Sequence, residues 1–224
     1  MGGIPEKRMG HRDILKKVGQ YYTDKVNTHG ATASGVDWNS TESQSLRFEE
    51  LLEVREGDGA FSINDYGCGY GALIDYLEGA NLEFEYSGFD VSETMISKAR
   101  ELHPKMDPVS FTADESALTP SDYTVASGIL NVKMDTPTEA WEEYVLATLD
   151  KLANLSKKGF AFNVLTSYSD PEYMRPDLYY ADPCFLFDYC KRKYSKWVAL
   201  AHDYGLYEFT ILVKKRDEKS WLSL

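Results

Sequence analysis

The stretch Ala60-Phe-Ser-Ile-Asn-Asp-Tyr-Gly-Cys-Gly-Tyr-Gly71 ends a predicted β-strand in a turn that contains three glycines. Glycine lets the backbone turn tightly and approach a ligand without a Cβ in the way. A short helix is predicted directly afterwards, through Leu73 to Leu77. This strand–turn–helix unit predicts the start of an α/β sheet, with a ligand beside the turn.

Strand and helix signals alternate from residue 60 to about residue 196, which predicts a parallel sheet with helices on both faces. Ser92 is the predicted N-cap of the helix after the second strand, and Thr136 that of the helix after the fourth. Two further strands, 197–202 and 207–215, are separated by the turn Asp203-Tyr-Gly-Leu206. A connection this short forces an antiparallel pair. The predicted fold is α/β, a doubly wound Rossmann-like sheet of seven strands with an antiparallel C-terminal hairpin.

Two amphipathic helices are predicted before this alternation begins. The first runs from Pro5 to about Val26, and the second starts near Ser40, where Thr41 and Gln44 have the spacing of a capping box. Residues 28–40 between them are small and contain glycine, which indicates a loop. We therefore expect residues 1–40 to form a helical cap or lid and residues 41–224 to form the ligand-binding domain.

Carboxylates stand at the ends of three successive predicted strands. Asp65, Asp90 and Asp114 follow the first, second and third core strands. Because the carboxyl ends of parallel strands meet at one edge of the sheet, these acids are predicted to line one cleft. A carboxylate at the end of the second strand can accept hydrogen bonds from both ribose hydroxyls of a nucleoside.

The glycine spacing alone does not identify the ligand. Gly67, Gly69 and Ala72 also fit the dinucleotide fingerprint GxGxxG/A, so an NAD-dependent oxidoreductase is one alternative. Asp65 argues against it, because a pyrophosphate there would meet like charge whereas an ammonium group would find a partner. S-adenosylmethionine carries an ammonium and a sulfonium and no phosphate, so it suits this turn better.

With these features the chain resembles the class I S-adenosylmethionine-dependent methyltransferases over roughly residues 40–214. The turn DYGCGYG (65–71) is similar to the family's glycine motif with its preceding acid. The stretch GFDVSETMISKAR (88–100) resembles the second-strand motif, TADE (112–115) the adenine loop, and DYTVASGILN (122–131) the fourth strand. The fourth strand lacks the Asn/Asp-Pro-Pro-Tyr/Phe tetrad of amino-methylating DNA enzymes, and nothing resembles an RNA-binding appendage. The resemblance therefore implies a small-molecule methyltransferase.

The resemblance also implies a set of cofactor-binding residues. Asp65 and Gly67 would bind the methionine end, Asp90 the ribose and Asp114 the adenine, with Met95 near the adenine ring. Arg47 is a candidate for the cofactor carboxylate if its helix packs over the glycine turn; the equal alternative is a solvated helix face. The expected set is Asp65, Gly67, Cys68, Gly69, Gly71, Asp90, Val91, Met95, Asp114, Glu115, Ser127, Arg47 and Tyr22.

The acceptor side of the reaction is less determined. No general base can be chosen from the sequence, and the catalytic candidates are His29, Tyr22 and Asn131. The segment 168–182 follows the fifth predicted strand, is rich in aromatic residues and contains one arginine. We expect it to cover the acceptor, the alternative being a surface connector. Its candidate substrate-binding residues are Tyr168, Arg175, Tyr179 and Tyr180.

Composition excludes several classes of partner. The 224 residues carry 24 Lys plus Arg against 36 Asp plus Glu, and this net charge of −12 repels phosphate backbones, so no nucleic-acid partner is expected. No apolar run approaches the roughly 20 residues that span a bilayer, and no secretory signal is visible at the start. Three cysteines without a CxxC pair indicate reduced thiols in the cytoplasm. The four histidines lack metal-ligand spacing, so no metal is expected.

The sequence thus predicts methyl transfer from S-adenosylmethionine to an O, N or C atom of a small molecule. Besides the NAD-dependent oxidoreductase, a non-catalytic S-adenosylmethionine-binding protein remains an alternative. The oligomeric state stays open, with a homodimer as one option.

Overall fold

The computed structural model describes residues 10–32, 40–104 and 107–216. Its centre is one seven-stranded sheet in the order β3-β2-β1-β4-β5-β7-β6. The strands are β1 Phe61–Tyr66, β2 Phe84–Phe89, β3 Val109–Thr112, β4 Ser121–Ala126, β5 Ser156–Leu165, β6 Trp197–Ala201 and β7 Glu208–Lys214.

The strand pairing confirms the predicted fold. The strands β1 to β5 pair in parallel, while β7 lies antiparallel between β5 and β6. The β6–β7 connection is too short for a crossover, so β7 must run back beside β6. The strand order reverses beside β1, which puts the ends of β1 and β4 at the place where doubly wound sheets bind ligands.

Within the described ranges, six α-helices surround the sheet. They are α1 His11–His29, α2 Thr41–Leu52, α3 Ala72–Gly79, α4 Glu93–Leu102, α5 Thr138–Asn154 and α6 Pro183–Lys193. Helix α1 ends three residues beyond its predicted end at Val26. Its predicted start at Pro5 lies outside the described residues.

The N-caps of three helices can be compared with the caps predicted from the local sequence. Ser92 caps α4 as predicted, its side chain accepting a hydrogen bond from the Met95 amide. Two other cap assignments were wrong. Helix α2 is capped by Ser40, which accepts from the Ser43 amide, and not by a box of Thr41 and Gln44. Helix α5 has Pro137 at its N-cap position, one residue after the predicted cap Thr136.

The two faces of the sheet carry separate apolar clusters. One packs α2 and α3 against β1 and β4, through residues such as Leu51, Leu73 and Ile63. The other packs α5 and α6 against β5 and β7 and includes Ile14 and Val18 of α1. Helix α1 also contacts α4. It therefore lies across the carboxyl edge of the sheet, although it stands outside the strand–helix alternation.

Among the described residues, no helix combines the length and the apolarity that crossing a bilayer requires.

Candidate functional site

A cavity opens at the carboxyl ends of β1, β2 and β4. Its empty volume is about 820 Å³, which includes the open solvent at its mouth. Helices α1, α2, α4 and α5 complete its walls. The lining residues are Leu15, Val18, Tyr22, Gln44, Phe48, Asp65, Tyr66, Gly67, Cys68, Gly69, Tyr70, Ala72, Phe89, Asp90, Val91, Met95, Ser127, Gly128, Ile129 and Tyr144.

The glycine turn forms the floor of this cavity. The amides of Gly67 and Cys68 both donate to the carbonyl of Phe89, at 2.7 and 2.9 Å, which ties the turn to the end of β2. Gly67 has φ +90°, and a Cβ there would lie 2.1 Å from Cγ2 of Ile129. A side chain at this position would therefore collide with the loop after β4, so the turn requires glycine for packing as well as for conformation.

Asp65 is a buried acid on this floor. Its carboxylate accepts a hydrogen bond of 2.8 Å from the Tyr86 hydroxyl of β2. Burial raises the pKa of Asp65 to about 7, opposed by the Tyr86 hydrogen bond and reinforced by the negative charge of Asp90. An acid in this environment gains from a nearby cation, because the cation offsets the cost of burying its charge.

Asp90 is the second buried acid. Its two oxygens accept backbone hydrogen bonds from Gly69 at 3.0 Å and from Ser92 at 2.8 Å. Burial raises its pKa to about 6, and the same two amides oppose the shift. A carboxylate has about four lone-pair sites, so two remain for hydroxyl donors of a ligand. Asp90 thus couples the glycine turn to the start of α4 and still has capacity to bind.

Nine of the predicted cofactor residues lie in the cavity wall. They are Tyr22, Asp65, Gly67, Cys68, Gly69, Asp90, Val91, Met95 and Ser127. Burial raises the pKa of the Cys68 thiol well above its usual value, so this sulfur stays protonated and offers no thiolate nucleophile.

Arg47 does not take the position predicted for it. It is buried, and its guanidinium forms a bidentate ion pair with Glu208 of β7, with both N···O distances 2.8 Å. A third donor reaches the Ser43 carbonyl at 2.8 Å. Arg47 lies outside the cavity lining, and its charge is neutralised by Glu208. The alternative of a solvated face is wrong too, because only 8% of its side chain is exposed.

Three other predicted cofactor residues also lie outside the lining. Gly71 faces away from the cavity, since a Cβ there would lie 3.0 Å from the His103 ring. Asp114 is exposed and caps a 3₁₀ turn by accepting from the amide and hydroxyl of Ser116. Glu115 pairs with Lys151 at 2.7 Å.

The structure describes the side chains of two of the three catalytic candidates, Asn131 and Tyr22. The Asn131 side chain accepts a hydrogen bond of 3.0 Å from the Leu165 amide, which fixes the end of β5. Asn131 does not line the cavity. His29 is the last residue of α1, and its side chain lies outside the described part of the chain. Tyr22 is a lining residue of the cavity.

None of the predicted substrate residues of the segment 168–182 lines the cavity. Arg175 is exposed and donates to Asp177 at 3.1 Å, and its amide donates to the Tyr180 hydroxyl. Tyr179 is buried, and its hydroxyl lies 3.4 Å from the Glu142 carboxylate. Tyr168 is 70% exposed. The segment packs along the loop after β4, where the Tyr179 amide donates to Asn131, so the predicted cover is not seen.

Several lining residues were missed by sequence reasoning. Leu15 and Val18 lie on the same face of α1 as Tyr22, which was already a candidate. Their helical spacing from Tyr22 could therefore have identified them as lining residues. Gln44 and Phe48 share a face of α2 in the same way. Tyr144 of α5 had no such signal, since its approach depends on how α5 packs. Among the described residues, no group of acids, histidines and cysteines has the geometry of a metal site.

Comparison with known proteins identifies a sequence relative. The chain is 54% identical over 155 residues to the protein named "Putative methyltransferase Rv1506c" of Mycobacterium tuberculosis. The match covers 69% of this chain and 93% of that protein. No protein-family model matches the chain.

Solved structures share the fold at low identity. N-methyltransferase NodS of Bradyrhizobium japonicum, in complex with S-adenosylhomocysteine, has a TM-score of 0.60 at 13% identity, over 89% of this chain and 99% of that one. Human N-acetylserotonin methyltransferase with S-adenosylmethionine has a TM-score of 0.59 at 14% identity, over 96% of this chain. Phosphoethanolamine N-methyltransferase 1 of Haemonchus contortus, with phosphoethanolamine and S-adenosylhomocysteine, also has 0.59 at 14%, over 92% of this chain. This chain spans 61% of the human protein and half of the Haemonchus protein.

Proposed function

This chain belongs to the methyltransferase family of its mycobacterial relative, and we propose that it transfers the methyl group of S-adenosylmethionine to a small-molecule acceptor. The observation that carries the proposal is the pair of buried acids, Asp65 and Asp90, beside the glycine turn. Three proteins of the same fold hold S-adenosylmethionine or its product S-adenosylhomocysteine, which supports the choice of cofactor.

The chemistry of the cavity floor fits this cofactor. Asp65 would pair with the ammonium of the amino-acid end, and Asp90 would accept the ribose hydroxyls. We assign the adenine end to the apolar side chains of Val91 and Met95 and not to Asp114, which caps its own turn. NAD fits less well, because its pyrophosphate would lie against two acids.

When bound, S-adenosylmethionine supplies a methyl carbon on a positively charged sulfur. The protein's own contribution is to align the acceptor and to exclude water, which can lower a barrier by roughly 7–11 kcal/mol. Leu15, Val18 and Phe48 form an apolar wall suited to both tasks. Tyr22 is the lining residue that could accept or relay a proton from the acceptor.

Binding and turnover experiments separate this proposal from its alternatives. Calorimetric titrations with S-adenosylhomocysteine and with NAD should show micromolar binding of the first and none of the second. Micromolar binding of NAD alone would favour an oxidoreductase. A panel of small metabolites should then release S-adenosylhomocysteine in the presence of S-adenosylmethionine. Binding with no release on any acceptor would favour the non-catalytic protein.

We propose that α1 acts as a lid over the cofactor. Its Thr23 hydroxyl lies 2.7 Å from Ser92 at the start of α4, and Lys17 forms an exposed ion pair with Asp135. Exposed pairs contribute little, roughly 0–1 kcal/mol, so the main cost of opening α1 is the exposure of its buried Ile14 and Val18. The rest of the predicted cap, 1–9 and 33–39, lies outside the described residues.

Hydrogen exchange should detect this lid. Adding S-adenosylhomocysteine should slow amide exchange in 11–29, because the ligand bridges α1 and the cavity floor. Exchange in α6, which does not line the cavity, is the internal control and should stay the same. Equal exchange of α1 with and without ligand would mean that it is a fixed part of the core.

Asp65 and Asp90 predict that the stability of the free protein falls as the pH rises and that its affinity for the ligand increases. Their raised pKa values, about 7 for Asp65 and about 6 for Asp90, mean that the folded protein holds protons that the unfolded chain releases. The stability that these protonated acids contribute is complete below about pH 4 and is lost as the pH rises through about 6 to 7. The ionised acids bind the ligand, so affinity for S-adenosylhomocysteine should rise over that same window.

Thermal unfolding from about pH 5 to about pH 8 measures both effects. The melting temperature of the free protein should fall as the pH rises. The increase in melting temperature that S-adenosylhomocysteine causes should become larger over the same range. Asp65→Asn is the matched variant, and it should flatten both trends. A ligand-induced shift that is constant with pH would show that neither acid contacts the ligand.

We propose the cytoplasm as the compartment, because the three cysteines are free thiols. Size-exclusion chromatography with light scattering would decide between a monomer and the homodimer.

A further inference from the structure

Gln44 is a buried polar side chain that the proposed function does not yet use. It lies on α2, one helical turn before Arg47, and its residue is only 6% exposed. It lines the same cavity as Asp65 and the glycine turn. Arg47 carries a positive charge, whereas Gln44 is neutral, but Arg47 is held away from the cavity by Glu208. Gln44 is therefore the polar group that α2 presents to the ligand.

Tyr70 determines which end of the Gln44 amide is available. Its hydroxyl donates to Oε1 of Gln44 at 3.2 Å, and Tyr70 is itself buried in the glycine turn. The amide nitrogen of Gln44 donates to none of the described residues. With its oxygen occupied, the amide offers two N–H groups as donors to the cavity.

The surrounding charges indicate which group of the ligand these donors would bind. A ligand with an amino-acid end has a carboxylate as well as an ammonium, and Asp65 and Asp90 would repel that carboxylate. Helix α3 begins at Ala72, a lining residue, and the first N–H groups of a helix have no acceptor within it. The positive end of the helix dipole adds to their effect. Gln44 and the start of α3 thus form the side of the cavity that favours an anion.

We propose that Gln44, held by Tyr70, binds the carboxylate of the cofactor's amino-acid end and so selects ligands that retain this group. The assignment rests on the proposed function, since it takes S-adenosylmethionine as the ligand. It makes Gln44 a specificity-determining residue and Tyr70 a positioning residue. The two ends of one zwitterion are then held by Asp65 and by Gln44, each of which receives a hydrogen bond from a tyrosine.

The test compares two ligands that differ only in the carboxylate: S-adenosylhomocysteine and its decarboxylated amine. Calorimetry on Gln44→Leu should show S-adenosylhomocysteine binding weakened about 10- to 150-fold, the range for a hydrogen bond to a charged group. Binding of the amine should change less than about threefold. Glu49→Gln, an exposed change on the same helix, is the control and should leave both affinities unchanged. Thermal unfolding checks that each variant folds.

Gln44→Glu decides which atom of the amide faces the ligand. A carboxylate at this position should repel the ligand carboxylate and weaken S-adenosylhomocysteine more than Gln44→Leu does. Tyr70→Phe should give a smaller, ligand-selective loss, because Gln44 then lacks the bond that orients it. If Gln44→Glu binds S-adenosylhomocysteine as tightly as the wild type or more tightly, the amide oxygen of Gln44 faces the ligand and the assignment is overturned.

The remaining outcomes distinguish a failure of the Gln44 assignment from a failure of the proposed function on which it rests. Equal losses for both ligands in Gln44→Leu would reduce Gln44 to a shape-filling residue, and no loss would remove it from the site. In either case wild-type binding of S-adenosylhomocysteine leaves the proposed function intact. Wild-type protein that binds neither ligand overturns the function and this assignment together.

Discussion

Arg47→Ala is expected to destabilise the fold by about 3–5 kcal/mol, because it leaves a buried carboxylate without its partner. Glu208 is 2% exposed in its side chain, and both of its oxygens accept hydrogen bonds from Arg47. For a chain of this size, such a loss lowers the melting temperature by about 6–20 °C. Thermal and urea unfolding would measure it.

The double variant Arg47→Met/Glu208→Leu is the control. Replacing a buried ion pair by apolar residues of similar volume is often neutral or stabilising, so most of the lost stability should return. The double variant should also bind S-adenosylhomocysteine as the wild type does, since neither residue lines the cavity. A folded double variant with ligand affinity lowered tenfold or more would restore Arg47 to the cofactor site.

Asp65→Asn is expected to weaken S-adenosylhomocysteine binding by about 10- to 150-fold, which corresponds to 1.5–3 kcal/mol for a hydrogen bond to a charged group. Asparagine keeps an oxygen that can accept from Tyr86, so the substitution removes the charge and leaves the packing. Calorimetry above about pH 7, where the wild-type acid is ionised, gives the largest contrast.

The stability of Asp65→Asn provides an independent check. Because burial of the ionised acid is costly, the ligand-free variant should melt at the same temperature as the wild type or higher under these conditions. Asp114→Asn is the matched acid-to-amide change outside the lining, and it should bind S-adenosylhomocysteine normally. Equal affinity losses in both variants would point to the net charge of the protein and not to a contact of Asp65.

An acid that lowers stability and raises affinity would explain why this cavity is built from buried carboxylates. Asp65 and Asp90 each lie among apolar walls, and each is only partly compensated by neutral donors. The cost of burying them remains until a cation enters.

Much of the architecture could be predicted from local patterns. Alternating strand and helix signals indicated the parallel sheet, and the short turn at 203–206 required the antiparallel hairpin. The glycine turn and the acids at the ends of β1 and β2 were found for the same reason. A strand end, a tight turn and a cap are each set by a few adjacent residues, whose conformational preferences can be evaluated without the rest of the chain.

Side-chain partners across the fold could not be predicted in this way. Periodicity placed Arg47 on a helix, and it did not indicate that Glu208, 161 residues away, would neutralise it. Arg175 was expected to bind the acceptor, and it pairs with Asp177 outside the cavity. A charge that leaves water takes the nearest opposite charge that packing brings to it, and a one-dimensional pattern has no information about that distance.

The sequence alone therefore specifies the sheet, the glycine turn and the two acids of its floor, because each depends on neighbours along the chain. The packing of α1 and α2 over that floor specifies the rest of the site. It places Gln44 in the cavity and Arg47 behind it, although they are three residues apart on one helix. The contact between α2 and β7 makes that choice, since it brings Glu208 within reach of Arg47 and leaves Gln44 in the cavity wall.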